Sequence, residues 1–445
     1  MTSSQRYAVV LSAVLFAVAA AGAQDLHALR ARAAGEGWTF EIAPNPAAAR
    51  PPEALHSLVP PKDWRTDAPF RTFDSKAELP AAFDWRPWLP PVRDQRGCGS
   101  CWAFSTVGAL ECAIGVKDGV MADLSEQWLV SCNSESEPPV ILGKGEWGCN
   151  GGWFAHDYHQ WKTDPCGGYG AVPEAAFPYR AADVPCQCPY PHTYFIDNWA
   201  YIGGEETIPG TSAIKQAIAA YGPVSAAVFV DEPFYLYYNG VYNHDPEDLP
   251  NHGIVLVGWD DTLGEHGAWI LRNSWGADWG QGGYMYIAYG CASVGFGACY
   301  VDYAGTGQAE GPTVTAQPRG GFVETGAPFV FRVAAEGVGL LHYQWSRNGI
   351  PLEGDAPEYR IDPAQPGHAG VYRCVVTGMR GATTTATATL EVLEPGGLPA
   401  VSVPGLLLLT AALFGALGLR RGSITRQGER TREPNHQICR GSITR

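Results

Sequence analysis

The stretch Gln95-Arg96-Gly97-Cys98-Gly99-Ser100-Cys101-Trp102-Ala103-Phe104 decides how this chain of 445 residues is read. It sets a side-chain amide six residues ahead of a cysteine, and from that cysteine Trp102, Phe104, Val107, Leu110 and Ile114 recur at helical spacing as far as Lys117-Asp118-Gly119. The spacing predicts one long amphipathic helix with Cys101 in its first turn. A thiol placed there feels the positive end of the helix dipole, which favours the thiolate.

Two further clusters lie well downstream, Asn251-His252-Gly253 and Asn273-Ser274-Trp275-Gly276. Together with the Cys-Gly-Ser-Cys-Trp run they make residues 80–305 resemble the papain-like cysteine proteases, the family of papain and the cathepsins. The resemblance implies an α+β fold of two lobes, one helical and one β-rich, with the cleft between them. It also implies an endopeptidase working through a Cys101 thioester. A free thiol has a pKa near about 8.5, so an imidazolium from His252 is expected to help make the thiolate, then to protonate the leaving amine and activate water. Asn273 would hold the ring by a hydrogen bond and Trp275 would cover that bond. The Gln95 amide and the Cys101 N–H are the expected donors to the oxyanion. By the same resemblance Gly151 and Gly152 form a wall that pairs with an extended substrate backbone. Trp153, Phe154, Ala227 and Gly253 would line the main side-chain pocket, favouring an apolar or aromatic residue two before the cut. Cys98 would pair with Cys149.

Ahead of this region, residues 1–23 hold a short polar start, an apolar run and Ala21-Gly22-Ala23, which reads as a cleaved secretory signal. Residues 24–79 are rich in Ala, Pro and Arg and run into Leu79-Pro80-Ala81-Ala82-Phe83-Asp84-Trp85. They are expected to be a propeptide lying across the cleft, nearer in length to that of cathepsin B than of cathepsin L. The alternative is a flexible linker. The insertion Ser134 to Trp147 reads as an acidic surface loop. No inserted loop with paired histidines follows Gly152, which favours endopeptidase action over carboxydipeptidase action.

Beyond Gly305 the composition changes. Residues 311–393 alternate Thr and Val in strands, with Trp345 on one and Tyr372-Arg373-Cys374 on another, a pattern that resembles an immunoglobulin-like sandwich. Val333 stands about where the first cysteine of that fold would be. A final strand is expected over Thr383 to Val392. Residues 401–419 are uncharged and apolar and are followed by Arg420-Arg421, which reads as a transmembrane segment with a basic cytoplasmic tail over 420–445. Spacer, span and arginines resemble the bacterial PEP-CTERM sorting tail, which adds a membrane and a sorting enzyme to the expected partners and places the exported protein on the extracellular or periplasmic face, anchored in the membrane or sorted to the cell surface. Arg421 to Arg426 recurs as Arg440 to Arg445 without a physical explanation.

Acidic residues outnumber basic ones, 45 to 30, which argues against nucleic acid as a partner. Export would favour disulfides among the twelve cysteines. Beyond Cys98 and Cys149, Cys132 is expected to join Cys186 or Cys188, Cys166 the other, and Cys291 to join Cys299. A zinc site at Cys166, Cys186 and Cys188 lacks ligand spacing, and His156 with His159 makes at most a two-ligand face, so no metal and no cofactor is expected. Two other functions stay open for the same residues: a catalytically silent surface binding or adhesion protein, and a peptide ligase that hands the thioester to an amine.

Overall fold

Local chemistry accounts for the elements in chain order. In this computed structural model the described residues are 26–60, 68–73, 78–133, 147–204, 206–246, 248–307 and 310–396. The signal segment 1–23, the loop 134–146, the apolar segment 401–419 and the tail 420–445 lie outside them. The N-terminal segment forms a helix over 26–36 (α1), a strand Phe40–Ile42 (β1), one turn at Pro52–Leu55 (α2) and a short strand Phe70–Arg71 (β2). After Ala82–Asp84 (β3) comes the helix Cys101–Asp118 (α3), stopped where Gly119 adopts a φ of 71° and its N–H returns to the Gly115 carbonyl. Glu126–Cys132 (α4) starts at Ser125, whose hydroxyl accepts the Trp128 N–H at 3.0 Å, and Asp157–Gln160 (α5) is a single turn.

The expectation of an amphipathic α3 is corrected. Every residue from Cys101 to Val116 is buried, because the helix is a partition with α4 on one side and strands on the other. The positions between the large apolar ones are, apart from the buried Glu111, the small residues Ala103, Ser105, Thr106, Gly108, Ala109, Cys112 and Ala113, which can be packed against on all sides. Trp102, Leu110, Trp128, Trp153 and Tyr158 fill the core of this helical lobe.

The second lobe is built on strands Asn198–Ile202 (β4), Val224–Val228 (β5), Tyr237–Tyr242 (β6), His252–Asp260 (β7), Ala268–Arg272 (β8), Tyr284–Ala288 (β9) and Phe296–Asp302 (β10), with helices Thr211–Tyr221 (α6) and Glu232–Tyr235 (α7) between them. Their order in the sheet is β1-β6-β9-β8-β7-β5-β10-β4-β2, with β3 also on β7. Strands β5 and β8 are buried at every position and apolar or small except for Arg272 at the end of β8, as befits strands covered on both faces. The register that matters is Ala227 opposite Gly253 and Val228 opposite His252.

Residues 313–393 form a separate β-rich region. Its strands are Thr313–Ala316 (β11), Gly321–Glu324 (β12), Phe329–Arg332 (β13), Ala334–Glu336 (β14), His342–Arg347 (β15), Ile350–Pro351 (β16), Glu358–Ile361 (β17), Gly370–Gly378 (β18), Gly381–Thr384 (β19) and Ala388–Leu393 (β20). The main sheet runs β12-β20-β18-β15-β16, and Trp345 stands opposite Cys374 in it. Phe331, Val333, Trp345, Tyr372, Cys374 and Leu390 share one core. The expected single strand over 383–392 is two strands. Both pair with β18, and between them Thr385 interrupts the ladder, its hydroxyl accepting the Cys374 N–H at 3.0 Å. No helix of the described residues is long and apolar enough to cross a membrane.

Three disulfides are present among the described residues, Cys98–Cys149, Cys132–Cys186 and Cys166–Cys188. The expected Cys291–Cys299 bridge does not form. Cys299 points into the core of the helical lobe, whereas Cys291 packs against the core of the strand lobe.

Candidate active site

The site is assembled where three elements end. Cys101 opens α3, His252 opens β7, and Asn273 follows the last residue of β8. Strand β7 is brought against the first turn of α3 because residue 253 is glycine: a Cβ there would stand 3.0 Å from the Cys101 carbonyl oxygen and 3.3 Å from the Ser105 Cβ. The His252 Nε2 is 2.8 Å from the Asn273 Oδ1, and this oxygen also accepts the Ser274 N–H at 2.8 Å. With Nε2 committed to Asn273, Nδ1 has no hydrogen-bond partner among the described residues. The Trp275 ring covers the imidazole at a centroid distance of 4.8 Å.

Gln95 is held from both sides. Its Oε1 accepts the Ser274 hydroxyl at 2.7 Å, which turns Nε2 outward to donate to the carbonyls of Ala54 at 3.0 Å and Leu55 at 3.3 Å. These carbonyls belong to the N-terminal segment, which runs through the cleft. Trp275 donates its Nε1–H to the Leu55 carbonyl at 3.1 Å, the Leu58 N–H bonds the Asn251 carbonyl at 2.8 Å, and the Val59 N–H bonds the Gly152 carbonyl at 3.1 Å. Leu58 and Gly152 face each other as a parallel bridge. A Cβ on Gly151 would stand 2.7 Å from the Ser57 carbonyl oxygen. The Leu58 side chain is buried in the same cluster as Trp153, Phe154 and Ala227. A segment without chemical signature in its sequence thus bonds or closely approaches Gln95, Gly151, Gly152 and Trp275 among the residues singled out for the site.

Burial sets the charge state of the closed cleft. Cys101 and His252 are fully buried. Burial pushes the Cys101 thiol above its ordinary value, and main-chain N–H groups, including those of Gly253 and Ser57, offset this only in part. Burial takes the His252 imidazole down to about 3, although its bond to Asn273 acts in the opposite sense. Both shifts favour the neutral forms of the two groups while the cleft is covered.

Several supporting groups carry no signal in the sequence. The Tyr179 hydroxyl donates to the Gln95 carbonyl at 2.9 Å and meets the Ser100 hydroxyl at 2.6 Å, tying the amide loop to the start of α3. Asp94 binds both Nη atoms of Arg50, at 2.6 and 2.8 Å, anchoring the N-terminal segment beside Gln95. Burial would raise the Asp94 carboxyl, but the Arg50 guanidinium and the Arg96 N–H together leave it below the usual range.

The candidate metal groups resolve differently. His156 lies against Trp199 with its Nε2 3.2 Å from the Ser225 hydroxyl, while His159 stacks on Trp128. Burial holds both rings neutral. Asp164, Cys166 and Cys188 cluster closely, but the two sulfurs are bonded to each other and are not thiolates.

Comparison with known proteins gives one consistent answer. The chain is 35% identical over 228 residues to pro-cathepsin H of Mus musculus, covering 49% of this chain and 63% of that protein's length. It is 36% identical over 244 residues to cathepsin S of Bos taurus, covering 53% of this chain and 67% of that protein. Among solved structures, digestive procathepsin L2 proteinase from Tenebrio molitor larval midgut matches with a TM-score of 0.53 and 25% identity, covering 63% of this chain and 90% of that one. The profile of the papain family cysteine proteases matches residues 79–304, half of the chain and the part that carries Gln95, Cys101, His252 and Asn273, so the chain belongs to that family.

Proposed function

We propose that the protein is a cysteine endopeptidase kept closed by its own N-terminal segment. One observation carries this reading: the main chain of residues 54–59 is hydrogen-bonded to Gln95, Trp275, Asn251 and Gly152, the groups that a bound peptide would use. With that segment removed, the Cys101 sulfur is free to lose its proton to His252 and attack a peptide carbonyl carbon. The oxyanion is met by the Gln95 Nε2–H and the Cys101 N–H. His252 gives its proton to the departing amine, leaving a thioester, then takes one from water so that hydroxide attacks and the acid leaves. Leu58 is buried in the same apolar cluster as Trp153, Phe154 and Ala227, which supports a preference for an apolar residue there.

The test is turnover of a panel of short peptides after residues up to 79 have been removed, with the products sequenced. Hydrolysis inside the peptides fits the reading; amide products joined to an added amine would instead make it a ligase, and no turnover from folded, reduced protein would favour a binding protein. Replacing Gln95 by alanine is expected to lower kcat by roughly 10²- to 10³-fold, the effect of losing one oxyanion donor. Replacing Arg50 by alanine is expected to weaken inhibition by the excised segment about 5-fold at pH 6. The pair is part-exposed and its contribution is correspondingly discounted. Because the Asp94 carboxyl is depressed when paired, this contribution is present above about pH 4 and fades as pH falls through the paired value. An Arg50→Ala effect that grew on acidification would contradict the assignment.

The β-rich region is best accounted for as an immunoglobulin-like sandwich without its usual disulfide. Support comes from Trp345 opposite Cys374, with Val333 in the same core, and from Tyr372, two residues before Cys374, whose hydroxyl donates to the His368 carbonyl at 2.8 Å. Export, a 24–79 propeptide boundary and a C-terminal surface anchor complete the proposal on the sequence features described above.

A further inference from the structure

The end of α3 remote from Cys101 meets the β-rich region. A helix leaves its last carbonyls without intrahelical partners; here the Gly115 carbonyl accepts the Gly119 N–H, and those of Val116 to Asp118 lie beyond it. Arg380, in the turn between β18 and β19, reaches over: its Nε–H donates to the Val116 carbonyl at 2.9 Å and an Nη2–H to the Gly115 carbonyl at 3.0 Å. A cation there also meets the negative end of the helix dipole. The chain leaving the protease lobe is tied to the same place, since Asp118 accepts the Tyr303 hydroxyl at 2.5 Å and the Thr306 N–H at 2.8 Å. Beside these polar ties, Val338, Leu340 and Met379 pack against the core that contains Trp85, Leu89, Cys112 and Val116. Gly339 lies so close that a Cβ would stand 2.7 Å from Trp85 Cη2, and Trp85 is fully buried.

We infer that residues 311–393 are a fixed back-plate of the protease, docked on the carbonyl end of the helix that carries Cys101, and not a stalk that swings on a linker. A stalk needs no apolar contact with its neighbour; here one hydrophobic core continues across the boundary and a guanidinium closes a helix end on the other side. An 18-residue helix is about 27 Å long, so the back-plate stands well clear of the cleft at the opposite end.

The test uses the folded full chain with a site-specific protease sequence inserted after Gly307. After cutting, the two fragments are expected to co-elute on gel filtration at about 10 µM, and Met379→Asp with Arg380→Ala is expected to weaken their association at least tenfold. Fragments of the parent chain that elute separately would overturn the inference. As a measurement that needs no variant, small-angle scattering of the intact chain is expected to fit one rigid arrangement; a profile that requires freely reorienting domains would overturn it as well.

Discussion

Replacing Cys101 by alanine is expected to reduce peptide hydrolysis by the activated protein roughly 10⁴- to 10⁶-fold, to the level of its contaminants. The magnitude follows from the role. Residues that act as one unit lose nearly the whole acceleration together, and removal of a nucleophile leaves only binding and oxyanion stabilisation. Nothing else in the cleft can substitute: the nearest other thiol on the same helix, Cys112, is fully buried and pushed up to about 11 by that burial despite Arg272. A Cys101→Ala protein that retained even a hundredth of the turnover would locate the chemistry elsewhere. Asn273→Ala is expected to cost less, because the His252 ring keeps its cover from Trp275.

The second large effect concerns the closed state. In the intact chain, alkylation of Cys101 by iodoacetamide at pH 7 is expected to be at least about 100-fold slower than after the N-terminal segment is cut away. Burial acts in two ways: the reagent cannot reach a sulfur with no exposed surface beneath the segment, and the buried thiol favours its protonated form, which is the poor nucleophile. Peptide mapping by mass spectrometry separates Cys101 from the partly exposed Cys291, whose labelling serves as the internal reference. Equal rates before and after cutting would mean that the segment leaves the cleft in solution.

Legibility of the site in the sequence depended on how its residues are tied to the backbone. Cys101, His252 and Asn273 were readable because each sits at or next to a secondary-structure end, and Gln95 because it stands a few residues ahead of the helix that Cys101 opens, so short local motifs mark them. Strands β5 and β7 carry small or apolar residues over most of their buried length, which is the pattern of a strand covered on both faces. Tyr179 was not, since its job is to bridge two main-chain segments and any hydroxyl at that point in space would serve. The path of residues 54–59 was equally silent, because its hold on the cleft is made largely by backbone groups that every sequence possesses. Periodicity misjudged α3, where small residues hide a second buried face, and cysteine counting misjudged Cys291 and Cys299, where two cores divide what spacing would join.

The order of strands in the large sheet has a further consequence. Its first and last members, β1 and β2, both belong to the segment that activation would discard. The intact chain is therefore hemmed on both sides, and maturation unpicks both hems at once. Strand β6 would lose its antiparallel neighbour and β4 its parallel one, leaving two rows of main-chain donors and acceptors open to any extended chain. The mature enzyme is expected to be stickier than its precursor for a reason unrelated to its cleft, and whatever travels with it after activation has two ready-made margins on which to lie.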